Sequence, residues 1–286
     1  MLRIEAIRKP LIAALLCAVA AAPEAQAARS AVAPWILTAP PRETAARALR
    51  DYGPVATFLS RALDHPVQFR HPDSWLQYES WIRQGKATIW FDGPQFIAWR
   101  IVHLEASPGP VIPQPRVWEL YTWKGSSVRR VRDAAGLSLC APPEPNFGAL
   151  WESHLFTNPV RQPYVIDTHA WKAIYKAVRT HACATGIGPK HVLDQLASGN
   201  KDVMILRTSR PLPNQGFSYS KSLSPAEQAR ATQALLSPAG EQALLRVRQR
   251  FADGLPLVQP AAPGKATARI ARWLNSVWGE LYPSAL

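Results

Sequence analysis

The chain lacks the short motifs by which most catalytic sites announce themselves. No Gly-x-Ser-x-Gly elbow occurs, so an α/β-hydrolase reading has no nucleophile. No Gly-x-x-x-x-Gly-Lys loop and no Gly-x-Gly-x-x-Gly fingerprint occurs, which removes the usual nucleotide-phosphate cradles. His-Glu-x-x-His is absent, and His65 and His71 flank a strand-like run in a poor metal pairing. Cysteine is scarce, with three residues, and charged residues are only 19% of the chain. No catalytic residue, metal or cofactor is therefore expected, and an enzyme would need an acid/base site of unusual form.

What is present describes a globular protein with a substantial core. The chain has 286 residues, 47% of them hydrophobic, with 11 Trp and 27 Pro. Tryptophan supplies large buried area with one polar handle, a combination that binding clefts use. The formal net charge is +13, which biases encounters toward anions. Nucleic acid is not the expected partner. The basic residues are dispersed, the one tight cluster is Arg129, Arg130 and Arg132, and no nucleic-acid-binding motif appears.

The first 27 residues read as a secretory signal. Arg3, Arg8 and Lys9 precede the apolar run Leu11 to Ala22, and Ala25-Gln26-Ala27 presents small residues for cleavage. The run is short for a membrane span, although an N-terminal anchor is the competing reading. Leu16 before Cys17 disfavours a lipid-modified cysteine. In the oxidising compartment that a signal implies, the remaining Cys140 and Cys183 read as a disulfide. Two free buried thiols are the alternative.

Along the rest of the chain, strand-like runs alternate with helical spacing, the mark of α/β architecture. Strands are expected at 35–38, 67–70 and 88–91. Helices are expected at 43–63, interrupted at Gly53-Pro54, and at 74–84. The stretch from Pro108 to Pro115 holds four prolines and reads as a linker. A second set of units follows, with strands at 116–123, 137–141, 163–167, 183–187 and 203–207. Its helices begin at Phe147, Ala170 and Lys190. Pro211-Leu212-Pro213-Asn214 marks a second boundary, Phe217 to Ser220 a returning strand, and the tail is helical, with Ser224-Pro225 and Ser237-Pro238 as helix starts. The expected division is a signal at 1–27, lobe 1 at 28–105, lobe 2 at 106–212, and a return to lobe 1 with C-terminal helices at 213–286.

Several segments carry a family resemblance. Thr38-Ala39-Pro40-Pro41, Tyr52-Gly53-Pro54, Phe58-Leu59-Ser60, the Tyr78 helix and Phe91-Asp92-Gly93-Pro94-Gln95-Phe96 resemble the first lobe of phosphonate-type periplasmic solute-binding proteins. Ala141-Pro142-Pro143-Glu144-Pro145-Asn146-Phe147-Gly148 and Asn158-Pro159-Val160-Arg161-Gln162-Pro163 are similar to the second lobe. Pro213-Asn214-Gln215-Gly216-Phe217 resembles the return segment. The resemblance implies two Rossmann-like lobes joined by two hinge crossings, a type II periplasmic-binding clamshell. It further implies a monomer in the periplasm that captures phosphate, phosphite or a phosphonate for an ABC transporter permease. The contacts it implies are Tyr78, Trp118, the helix start Asn146-Phe147-Gly148, His169, and Asn214 or Gln215; Thr38, Asp92 and Gly93, in the segments quoted above, complete the candidate ligand set.

Each of these has a competing structural account. Tyr78 fits a core aromatic, Asp92 and His169 fit helix caps, and Arg161 fits a turn clamp. The second-lobe helix start departs from the family pattern, because Pro143-Glu144-Pro145-Asn146-Phe147-Gly148 holds no hydroxyl. Glu144 would repel an anion if it faced inward, and each proline removes a donor. A sensory protein of the same fold that docks on a membrane receptor is the second function class, and an exported enzyme the third.

Overall fold

A computed structural model describes residues 32–197 and 202–279, and the expected signal lies outside them. From the start of the first strand the elements run β1 (Trp35–Thr38), α1 (Ala45–Leu63), β2 (Val67–Phe69), α2 (Trp75–Arg83), β3 (Ile89–Asp92), α3 (Pro94–Leu104) and β4 (Ser107–Val111). There follow β5 (Trp118–Trp123), β6 (Ser138–Ala141), α4 (Phe147–Ser153), β7 (Tyr164–Asp167), α5 (Trp171–Arg179), β8 (Thr185–Pro189), α6 (Lys190–Leu196) and β9 (Val203–Thr208). The chain ends with β10 (Gly216–Tyr219), α7 (Pro225–Leu236), α8 (Pro238–Ala243), α9 (Leu245–Phe251) and α10 (Lys265–Trp278). No described helix is long and apolar enough to cross a membrane.

Two separate five-stranded sheets form, in the orders β2-β1-β3-β10-β4 and β7-β6-β8-β5-β9. In the first, β1 is parallel to β2 and β3, while β10 runs antiparallel to β3 and β4. In the second, β6 is parallel to β7 and β8, while β5 runs antiparallel to β8 and β9. Each sheet is thus a parallel βα core closed by antiparallel return strands, an arrangement of type II periplasmic-binding proteins.

Two expectations are corrected. The proline-rich stretch does not open the second lobe at 106, because Ser107–Val111 is a strand of the first sheet. Prolines cannot donate to a ladder and so belong at a sheet edge. Here β4 is that edge, with Pro108 and Pro110 beside β10 alone. Glycine at 109 is needed between them, since a Cβ would meet the Tyr219 ring at 2.9 Å. The second correction is α1, which runs unbroken through Pro54. Pro54 is exposed, so water can take over the carbonyl of Arg50 that loses its helical donor.

The lobes are joined by the crossings at 112–117 and 209–215, which pair with each other. Arg116 and Leu212 exchange both backbone hydrogen bonds, at 2.8 and 2.9 Å, and the Ile112 N–H donates to Gln215 O at 2.9 Å. A two-stranded hinge results. Helix α10 adds a third link. It lies along α3, where Asn275 Oδ1 accepts from Trp99 Nε1 at 2.8 Å. On the other side Trp273 meets Phe147 and His154 of the second lobe at centroid distances of 5.9 and 4.9 Å. One apolar cluster consequently runs from Trp90, Phe96 and Trp99 through Trp273 to Phe147 and Trp118.

Candidate binding site

In α/β sheets, ligands bind beyond the carboxyl ends of the strands. In this chain the segments that follow β3 in the first lobe and β6 in the second touch each other. Gln95, in the first turn of α3 after β3, donates from Nε2 to Pro145 O, just before α4, at 2.9 Å. That bond brings Gly93, the N-cap of α3, near Asn146, Phe147 and Gly148. The amide oxygen, Gln95 Oε1, is buried without a partner.

On the second lobe, Asn146 caps α4 by accepting from the Gly148 N–H at 2.9 Å. The helix start on which an anion was expected thus satisfies one of its own donors. Phe147 is buried and packs edge-on against Trp118. The Trp118 ring covers Gly148 so closely that a Cβ there would sit 2.5 Å from it. Trp118 is itself 4% exposed, and its indole Nε1 has no partner. A buried donor left unpaired costs free energy.

The other expected contacts lie elsewhere. Thr38 is buried and donates its hydroxyl to Arg70 O at 2.8 Å. Tyr78 and Asp92 are both fully buried inside the first lobe, where the Tyr78 hydroxyl donates to Asp92. Arg100, which the sequence reading missed, grips the same carboxylate with two bonds of 2.8 Å. It also donates to Ser218 at 2.7 Å and lies over the Trp90 ring. Asp92 accordingly braces β3, α3 and β10 against one another. Burial and then the Asp92 charge push the Tyr78 hydroxyl well above its ordinary range. His169 is exposed between β7 and α5. Asn214 is a hinge residue: it donates to Gln114 O at 2.9 Å and accepts from the Gln215 N–H and Arg116.

Carboxylates, not hydroxyls, flank the second-lobe helix start. Burial and then Asp167 raise the Glu144 carboxyl above the usual range. Burial and then Glu144 push Glu152 up to about 7. The folded state therefore holds a proton on Glu152 that the unfolded chain releases near the ordinary carboxylate pKa. Stability should fall as pH rises between roughly 4.5 and 7, by at most about 3 kcal/mol at 1.36 kcal/mol per unit, and then level off. Glu152→Gln should remove this slope and gain roughly 2 kcal/mol at pH 8 with little change at pH 4.5. Urea unfolding at the two pH values measures it, and parallel profiles for the two proteins would rule the account out. No group of three or more metal-ligating side chains occurs among the described residues.

Comparison with known proteins agrees with this architecture. No curated protein matches the chain. Among solved structures, XAC2383 from Xanthomonas citri bound to ATP is 13% identical with a TM-score of 0.69, covering 87% of this chain and 98% of its own. PhnD1 from Prochlorococcus marinus in complex with methylphosphonate is 11% identical with a TM-score of 0.57, covering 85% and 97%. A binding-protein component of an ABC phosphonate transporter from Pseudomonas aeruginosa is 11% identical with a TM-score of 0.53, covering 85% and 95%. At such identities the likeness shows the fold. The family model "ABC transporter, phosphonate, periplasmic substrate-binding protein" matches residues 37–254, which span both sheets and both crossings, and the chain belongs to that family of solute-binding proteins.

Proposed function

We propose that this protein captures a small oxyanion, of the class of phosphate, phosphite or a phosphonate, in the gap between its lobes and presents it to the permease of an ABC importer from the periplasm. It grips the solute and does not transform it. The observation that carries the reading is the meeting of strand ends from two lobes, at Gln95 and Pro145, in a molecule whose sheets are linked by a paired two-stranded hinge and by α10. The unpartnered Trp118 indole N–H beside that meeting point supplies a donor for an acceptor-rich guest.

Ligand binding to the folded state alone stabilises it by mass action, about 2.7 kcal/mol at a hundredfold excess over Kd. For a chain of this size that is a rise of roughly 5–10 °C in Tm. Phosphate, phosphite and methylphosphonate at millimolar concentration should include at least one that gives it, with chloride as the control. Tryptophan fluorescence should change alongside, since Trp118 lies at the site. If none of the three moves Tm beyond chloride, the solute is not of this class.

A further inference from the structure

The helix start that the family resemblance points to is capped by its own Asn146, crowded by Trp118 and flanked by Glu144. Two arginines lie instead beside the paired crossings. Arg42, in the loop after β1, donates from Nη1 to Gln215 Oε1 at 2.8 Å. Arg116, on the first crossing, donates from Nη2 to the adjacent Asn214 Oδ1 at 3.1 Å and from Nη1 toward His191 Nε2 at 3.5 Å. Two guanidiniums, one from the first lobe and one from the hinge, are thus tethered to consecutive side chains of the return crossing.

All of these partners are neutral acceptors. Among the described residues neither arginine forms an ion pair with a carboxylate. Asp253 acts on Arg116 from beyond that range. Burial and then the Arg42 charge hold the Arg116 guanidinium below the ordinary arginine value. Arginine nonetheless stays charged in proteins, so the two like charges repel. An oxyanion bridging them would relieve that repulsion and use N–H groups that the tethers leave over. The planar fork of each guanidinium matches two oxygens of such a group.

We infer that Arg42 and Arg116, tethered by Gln215 and Asn214 at the paired crossings, form the oxyanion-holding site of this protein. The inference rests on the proposed function in taking the solute to be an anion, and it assigns the residues that hold the charge. Because Arg116 and both tethers belong to the hinge, an anion there would also fix the angle between the lobes.

Calorimetric titration with inorganic phosphate and with methylphosphonate tests it on the whole chain. Arg42→Gln and Arg116→Gln should each weaken binding of the anion that the wild type takes by tenfold or more, while Arg42→Lys, which keeps the charge but not the fork, recovers only part of that loss. Arg42 sits in a half-exposed loop, so R42Q alone decides the matter should R116Q fold poorly. If the wild type binds an anion and R42Q binds it equally well, this site is refuted while the proposed function stands. If the wild type binds neither anion, both fall together.

Discussion

Arg100→Leu is expected to destabilise the protein by about 3–5 kcal/mol, the usual cost of stranding one member of a buried ion pair. Asp92 is fully buried, and its two oxygens accept from Arg100 at 2.8 Å each. Removing the guanidinium leaves the Tyr78 hydroxyl as the donor to that carboxylate, which cannot balance a charge. Ser218 Oγ loses two donors at the same time, and the Trp90 ring loses the cation 4.6 Å from its centroid. The consequence spreads because these side chains come from β3, α3 and β10, the elements that close the first lobe around its return strand. The double variant Asp92→Asn with Arg100→Leu should be clearly more stable than Arg100→Leu alone, since no uncompensated charge remains in the core. Equilibrium urea unfolding at pH 7 measures both, and equal losses in the single and double variants would show that lost packing, not stranded charge, sets the cost.

That network also shows where a sequence stops being readable. Strand runs such as Trp35–Thr38 and Ile89–Asp92, and helix starts such as Ser224-Pro225, are local, and they form where apolar spacing and capping chemistry place them. The two lobes and the return strand follow from the order of those elements. The role of Asp92 was not local. Its position at a strand end fits a ligand contact or a cap equally well, and only folding brings Arg100 from a later helical turn and Ser218 from far along the chain. Strand β4 was hidden for a different reason. Prolines mark breaks on average, and only its place at the sheet edge makes Pro108 and Pro110 tolerable. The pairing of Arg42 with Arg116 depends on two crossings meeting, which neither segment signals by itself. The resemblance put Asn146 in the ligand set, and in the fold its side-chain oxygen caps its own helix by accepting from the Gly148 N–H.

Cys140 and Cys183 are joined, with Cα atoms 5.9 Å apart across 43 positions. Replacing both by alanine should cost roughly 3–4 kcal/mol by the loop-closure entropy returned to the unfolded chain. The bond ties β6 to the turn before β8, so the loop it closes contains α4, β7 and α5. Strand β7 needs this restraint, because it is a sheet edge and every one of its residues is exposed. Both cysteines are buried against Ile174, Val178 and Leu193, so part of the loss will be packing. The two contributions separate in the denaturant dependence. Releasing the cross-link lets the unfolded chain expand and should steepen the slope of stability against urea, whereas lost packing shifts the midpoint at constant slope. A steeper slope with a lower midpoint is the expected result, and an unchanged slope would assign the loss to packing alone. The closed loop also carries the Asn146 cap and Gly148 beneath Trp118, so reduction should loosen that second-lobe segment, while Arg42, Arg116 and their tethers lie outside the loop.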